Sequence, residues 1–178
     1  MSSFLEQKSA IKKKLSKLLK DKEIIDIIIF GSVMKGKANP ADIDLAIISE
    51  KEKIESIDNI FHVSMLSPQE LVQTPPMLVT TLLREGFSLR HDKSFAEVFR
   101  FKSRILFVYS LVNLTPSKKV TIARILHGTK EIKGMVQEHK GEWLAHQVFT
   151  IPFEYDHLLE QFFIYKEIKF TKKYILIH

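Results

Sequence analysis

Residues 28–48, Ile-Ile-Phe-Gly-Ser-Val-Met-Lys-Gly-Lys-Ala-Asn-Pro-Ala-Asp-Ile-Asp-Leu-Ala-Ile-Ile, constrain this chain more than any other stretch. An apolar run breaks at Gly31-Ser32, and after nine further residues Asp42 and Asp44 open a second apolar run. Side chains alternate along a strand, so residues two apart share a face. On that pattern Asp42 and Asp44 project side by side, while Ile43, Leu45 and Ile47 enter the core. Two carboxylates on an otherwise apolar strand destabilise the fold unless positive charge lies between them. A divalent metal supplies that charge, and a Gly-Ser turn beside it suits the phosphates such a metal carries.

The chain has 178 residues, enough for one domain with a good core or two small ones. Hydrophobic residues at 45% and charged residues at 27% make an ordinary globular balance. The absence of Cys excludes disulfide frameworks, thiolate metal sites and cysteine nucleophiles, and it fits a reducing cytoplasm. Apolar runs such as Ile27–Phe30 and Leu45–Ile48 are far too short to span a bilayer. The first residues, Met-Ser-Ser-Phe-Leu-Glu-Gln-Lys, lack the apolar core and cleavage site of a secretory signal. The expectation is a cytoplasmic protein without membrane contact. A net charge of +6 favours nucleotides, RNA or acidic partners, but a lysine-rich composition explains it equally well.

Residues 3–20 show an amphipathic helical pattern, with Leu5, Ile11, Leu15, Leu18 and Leu19 against Lys12, Lys13, Lys14, Lys17 and Lys20. Basic amphipathic helices can lie on membranes or nucleic acid; a helix packed on a sheet with a solvated lysine face is the simpler reading. Strands are expected at Ile24–Phe30, Asp42–Ser49 and Ile60–Leu66, the last with His62 and Ser64 on one face and Phe61, Val63 and Met65 on the other. Ser67-Pro68-Gln69-Glu70 is a capping box with Pro at the first helical position. Thr74-Pro75-Pro76 opens a helix stopped by Gly86, and Phe87–Leu89 is a short strand candidate.

The pattern divides the chain into a first domain, residues 1–92, and a second unit, residues 93–178, which is smaller, mainly helical and holds one or two strands. Ser94 and Glu97 form another capping box, and Phe95, Val98, Phe101, Ile105, Val108 and Val112 predict one helix to about Asn113. Thr115-Pro116 opens a helix ending at Gly128, residues 131–139 have helical character, and Glu154–Tyr165 resembles a helix. Val148–Pro152 and Lys169–Ile177 read as strands. The aromatics here, at helical spacing, read as core rather than base-stacking platforms. Trp143 belongs with core or interface residues, and His91, His127, His139, His146, His157 and His178 show no metal-type pairing.

Gly31 to Ala38 nearly satisfies the phosphate-binding pattern G-x-x-x-x-G-K-[ST], but Ala38 has no hydroxyl for a metal and Asn39-Pro40 interrupts the required helix. A structural alternative is a tight turn whose aspartates accept hydrogen bonds from nearby amides. The strand, Gly31-Ser32, the spacing and Asp42-x-Asp44 together resemble the signature of the polymerase-β-like nucleotidyltransferase superfamily, closest to its minimal nucleotidyltransferases. The resemblance covers roughly residues 20–92; Lys35 stands where the family often has Arg, and Ala41 where Ser often precedes the first Asp.

The resemblance implies an α+β fold with a mixed β-sheet flanked by helices. It implies that Gly31, Ser32 and Lys35, with Lys37, hold nucleotide phosphates, and that Asp42 and Asp44 ligate Mg²⁺ or Mn²⁺. The reaction implied is attack of an acceptor hydroxyl on the α-phosphorus of an NTP, ATP first among them, with loss of pyrophosphate. The acceptor, whether small molecule, protein or RNA end, is not encoded in the motif. Members of this superfamily place a third acid on the neighbouring strand. Here His62 and Ser64 occupy that face, with Asp58 and Asp92 the nearest acids. Neutral His can serve as a general base but is a poor Mg²⁺ ligand, so His62 joins Asp42 and Asp44 as a catalytic candidate. Three readings follow: a working enzyme, a nucleotide-binding or regulatory module with weakened catalysis, or an antitoxin-type partner of a small helical protein.

Overall fold

The computed structural model describes residues 2–34, 42–51, 53–54, 57–73 and 76–178, with backbone alone for residues 2–6. It forms two compact units, Met1–Phe101 and Lys102–His178. Thr74 and Pro75, expected to open a helix, lie outside the described residues, as do Lys35 and Lys37.

The first unit runs α1 (Ser2–Lys14), α2 (Ser16–Lys20), β1 (Ile24–Phe30), β2 (Ile43–Ser49), β3 (Phe61–Leu66), α3 (Pro68–Val72), α4 (Met77–Glu85), β4 (Phe87–Ser88), β5 (Lys93–Ser94) and α5 (Phe95–Val98). The expected single helix over residues 3–20 is divided at Leu15, which leaves helical geometry and is 2% exposed. Among the described residues the five strands form a mixed sheet ordered β3-β2-β1-β4-β5. β2 and β3 run parallel, and the other neighbours run antiparallel.

Both sheet faces are buried. Ile27, Ile29, Leu45, Ile47 and Phe61 cluster with Ile11 and Leu15, while Ile28, Ala46 and Ile48 cluster with Val79, Leu82 and Phe95. The apolar runs of β1 and β2 therefore reflect strands covered on two sides rather than a single inward face. Ser67 and Glu70 form the expected capping box at α3, and Ser94 and Glu97 form theirs at α5.

The helix expected from Ser94 to Asn113 is not formed. α5 ends after one turn because Arg100 adopts φ 65°, with Phe101 N–H donating to Ala96 O and Arg100 N–H to Glu97 O. That pattern closes a helix and turns the chain out of it. The following residues form β6 (Lys102–Ser110), so the two units meet at residues 101/102, beyond the expected 92/93.

The second unit continues with α6 (Pro116–His127), α7 (Met135–Glu138), β7 (Glu142–Ala145), β8 (Val148–Pro152), a 3₁₀ turn over Phe153–Tyr155, α8 (Asp156–Tyr165) and β9 (Lys169–Ile177). Its described strands form an antiparallel sheet ordered β7-β8-β6-β9, so β6 and β7 add to the two strands read from the sequence. Ile105, Phe107 and Tyr109 of β6 pack with Phe149, Ile151, Ile122, Leu126, Leu159 and Phe163 as one core. Trp143 packs against the same core.

Candidate active site

Three neighbouring strands, β1, β2 and the edge strand β3, set the candidate site. β1 places Phe30 opposite Asp44, and the parallel register of β2 with β3 places His62 on its other side. Gly31 follows Phe30 at φ +76°, and a Cβ built there would overlap the Asp44 Oδ2 atom. A residue without a side chain is thus required both by the backbone and by the carboxylate against it. Val33, 1% exposed, and Met34 join the core on the α1 side, which fixes the Gly31–Met34 turn to the sheet.

Asp44 Oδ1 lies 3.3 Å from His62 Nδ1. An ionised carboxylate only accepts, so this contact is a hydrogen bond when Nδ1 carries the proton and Nε2 keeps its lone pair. The Asp44 side chain is 30% exposed and that of His62 is 74% exposed, so both are reachable from solvent. Ser64 lies two residues along β3, opposite Ala46, one step further from Asp44.

Asp42 is exposed and lies one residue before β2, not within it. The strand expected from Asp42 thus begins at Ile43. Ser32 is half-buried in the turn after Gly31, and Lys35 lies outside the described residues. Among the described residues no group of three or more His, Cys, Asp or Glu is gathered for a metal ion.

Each flanking acid is held elsewhere, Asp58 by one lysine of α1 and Asp92 by two. Lys14 Nζ is 2.6 Å from Asp58 Oδ2, and this hydrogen bond pulls the carboxyl below its usual range. Asp92 accepts from Lys12 at 2.7 Å and Lys8 at 3.1 Å, with the same effect and cause. Such exposed pairs add little stability, but they commit these carboxylates to the helix.

The donor set suits a divalent cation shared with substrate phosphates. Such cations are held by one or two carboxylates together with phosphate oxygens. Asp44 and Asp42 provide hard oxygen donors, and Asp44 Oδ2 sits in space that a side chain at residue 31 would otherwise take. The imidazole of His62 suits Mn²⁺-type ions better than Mg²⁺.

Sequence reasoning passed over Asp26, inside the apolar run of β1. It is 2% exposed, its Oδ1 accepts from Ser88 Oγ at 2.9 Å and Ile27 N–H at 2.8 Å, and its Oδ2 is buried without a hydrogen-bond partner. Burial pushes its carboxyl above the usual range. It pairs with Ile48, at the end of β1 away from Asp44, and so belongs to the scaffold. A single acid in Ile-Ile-Asp-Ile-Ile-Ile-Phe was the available signal.

The mixed sheet flanked by helices is consistent with a nucleotidyltransferase-type fold. The family model described as polymerase beta, nucleotidyltransferase matches residues 13–85, the segment holding Gly31, Asp42, Asp44 and His62. That segment is similar to polymerase-β-like nucleotidyltransferase domains. No curated protein and no solved structure matches the chain. No helix among the described residues is long and apolar enough to cross a membrane.

Proposed function

We propose that this protein transfers a nucleoside monophosphate from an NTP, with ATP the first candidate, to an acceptor hydroxyl. The observation that carries the reading is the register that sets Asp44 between the Gly31 turn and His62. Asp42 and Asp44 hold the divalent ion, Mg²⁺ or Mn²⁺, which when bound offsets phosphate charge and lowers the acceptor hydroxyl's pKa. Backbone amides of the Gly31-Ser32 turn, the Ser32 hydroxyl and Lys35 hold the phosphates. Asp44 orients the His62 ring, whose Nε2 takes the acceptor proton as the oxygen attacks the α-phosphorus and pyrophosphate leaves. The acceptor is a small molecule, a protein or an RNA end.

A second reading is favoured by one feature: an imidazole, not a carboxylate, stands opposite Asp44. In it the domain binds nucleotide without efficient transfer and serves as a regulatory module or an antitoxin-type partner of a small helical protein. Incubation with Mg²⁺ or Mn²⁺, each α-labelled NTP and candidate acceptors separates the two. The enzyme reading expects metal-dependent label on an acceptor, lost in Asp42→Ala/Asp44→Ala. Nucleotide binding with no label transferred to any acceptor class supports the module, and co-purification of a small helical protein supports the antitoxin form.

A further inference from the structure

We propose that the second unit carries its own site for a small phosphorylated compound with a flat ring, in the cleft where the first turns of α6 meet the end of α8. The cleft is open to solvent and has a volume of about 310 Å³. That is near the lower end of ligand sites, which run from ~300 to ~1,000 Å³, so it suits a single small molecule rather than a macromolecule.

Its walls carry the groups such a ligand needs. Lys118 and Lys166 both line it, and neither ammonium has a carboxylate partner among the described residues. Two lysines in the lining of one cavity favour a phosphate, which accepts several charge-assisted hydrogen bonds. Ser117 and Thr121, each with a hydroxyl, also line it. Thr121 Oγ1 already donates to Ser117 O at 3.1 Å, which fixes its orientation and leaves its oxygen free to accept from the ligand.

Ile122, 3% exposed, closes the apolar floor. Tyr165 stands at the rim and is 79% exposed, and Lys166 Nζ lies 4.8 Å from its ring centroid. One ring face is thus taken by a cation and the other is open for a flat partner. Glu167 is the acid in the lining, and it selects for a ligand that also presents hydroxyl donors. A nucleoside monophosphate combines phosphate, ring and hydroxyls.

The charge distribution supports an anionic ligand at this unit. Residues 102–178 hold 12 Lys and Arg against 7 Asp and Glu, whereas residues 1–101 hold 15 against 14. Most of the chain's net +6 therefore lies in the second unit, and the cleft lining itself carries two lysines against one glutamate.

The test is calorimetric titration of the full chain in an Asp42→Ala/Asp44→Ala background, which silences the nucleotide site of the first unit. AMP is the probe, with inorganic phosphate and adenosine as separate arms. AMP is expected to bind more tightly than either fragment. Lys118→Ala/Lys166→Ala is expected to weaken it about tenfold or more, as loss of a charged hydrogen bond does. Tyr165→Ala should weaken AMP but not phosphate, and Arg124→Ala, on the same helix outside the cleft, should change nothing. No AMP binding, or AMP binding unchanged by the double lysine substitution in a protein with wild-type circular dichroism, overturns the proposal. Either result leaves the nucleotidyltransferase reading standing, because the probe site excludes Asp42 and Asp44.

Discussion

Gly31→Ala offers a quantitative test of how the turn and the carboxylate depend on each other. Residue 31 holds φ +76°, and an L side chain in the left-handed region costs about 1–2 kcal/mol. The added Cβ also overlaps Asp44 Oδ2, with Asp44 Cγ at 3.2 Å and Cβ at 3.4 Å. Overpacking of that kind costs a further ~1–3 kcal/mol, because Asp44 must leave its rotamer and its contact with His62. Truncation of Asp44 removes the second cost but not the first. A double-mutant cycle of Gly31→Ala with Asp44→Ala therefore expects a coupling of ~1–3 kcal/mol, the residual cost in the Asp44→Ala background being the conformational share alone.

Urea denaturation of the four proteins reads this coupling. Trp143 is the chain's one tryptophan and lies in the second unit, so its fluorescence follows that unit. The remaining change in circular dichroism follows the first. Equal cost of Gly31→Ala in both backgrounds would refute the contact between the turn and Asp44. A neutral Gly31→Ala would refute the left-handed turn itself.

Three further outcomes follow from the structure. Burial raises the Asp26 carboxyl pKa, so the wild-type contribution of this group is most favourable below the unfolded carboxyl pKa, 3.8, and is lost as pH rises through the raised folded value. The stability difference between wild type and Asp26→Asn should therefore move in favour of the variant on going from pH 4 towards neutrality, and a difference that is flat with pH contradicts the buried carboxyl. His127 stacks on Trp143 at 3.7 Å between ring centroids, and burial, with His146 nearby, pulls its pKa down. Quenching of Trp143 by the imidazolium should thus have a midpoint below 6.5; a midpoint at or above 6.5 counts against the buried stack. His62→Ala should lower the nucleotidyl-transfer rate ~10²-fold or more while nucleotide binding is kept. An unchanged rate removes His62 from the chemistry.

Much of the first unit was legible because its signals are local. Gly31, the apolar runs of β1 and β2, and the Ser67–Glu70 and Ser94–Glu97 boxes all act within a few residues. The contact between His62 and Asp44 was half legible. Alternation put His62 on the correct face of β3, but the register that sets it against Asp44 comes from pairing between distant segments. The residue pattern from Phe95 to Val112 fits a helical repeat, and the same stretch also alternates as Ile105, Phe107 and Tyr109, the three residues that enter the second core. Its β-branched and aromatic content favours the strand, and the left-handed Arg100 that separates the two states carries no glycine to announce it. Asp26 was invisible for a related reason: the covering of both faces of β1 that buries it comes from segments distant in sequence.

The most direct measurement is equilibrium binding of ATP to the full chain with and without Mg²⁺, wild type against Asp42→Ala/Asp44→Ala. The account expects binding that requires the metal in wild type and is lost in the double variant, with AMP binding to the second-unit cleft measured separately and subtracted. Metal-dependent ATP binding retained at wild-type strength by the double variant would contradict the assignment of Asp42 and Asp44.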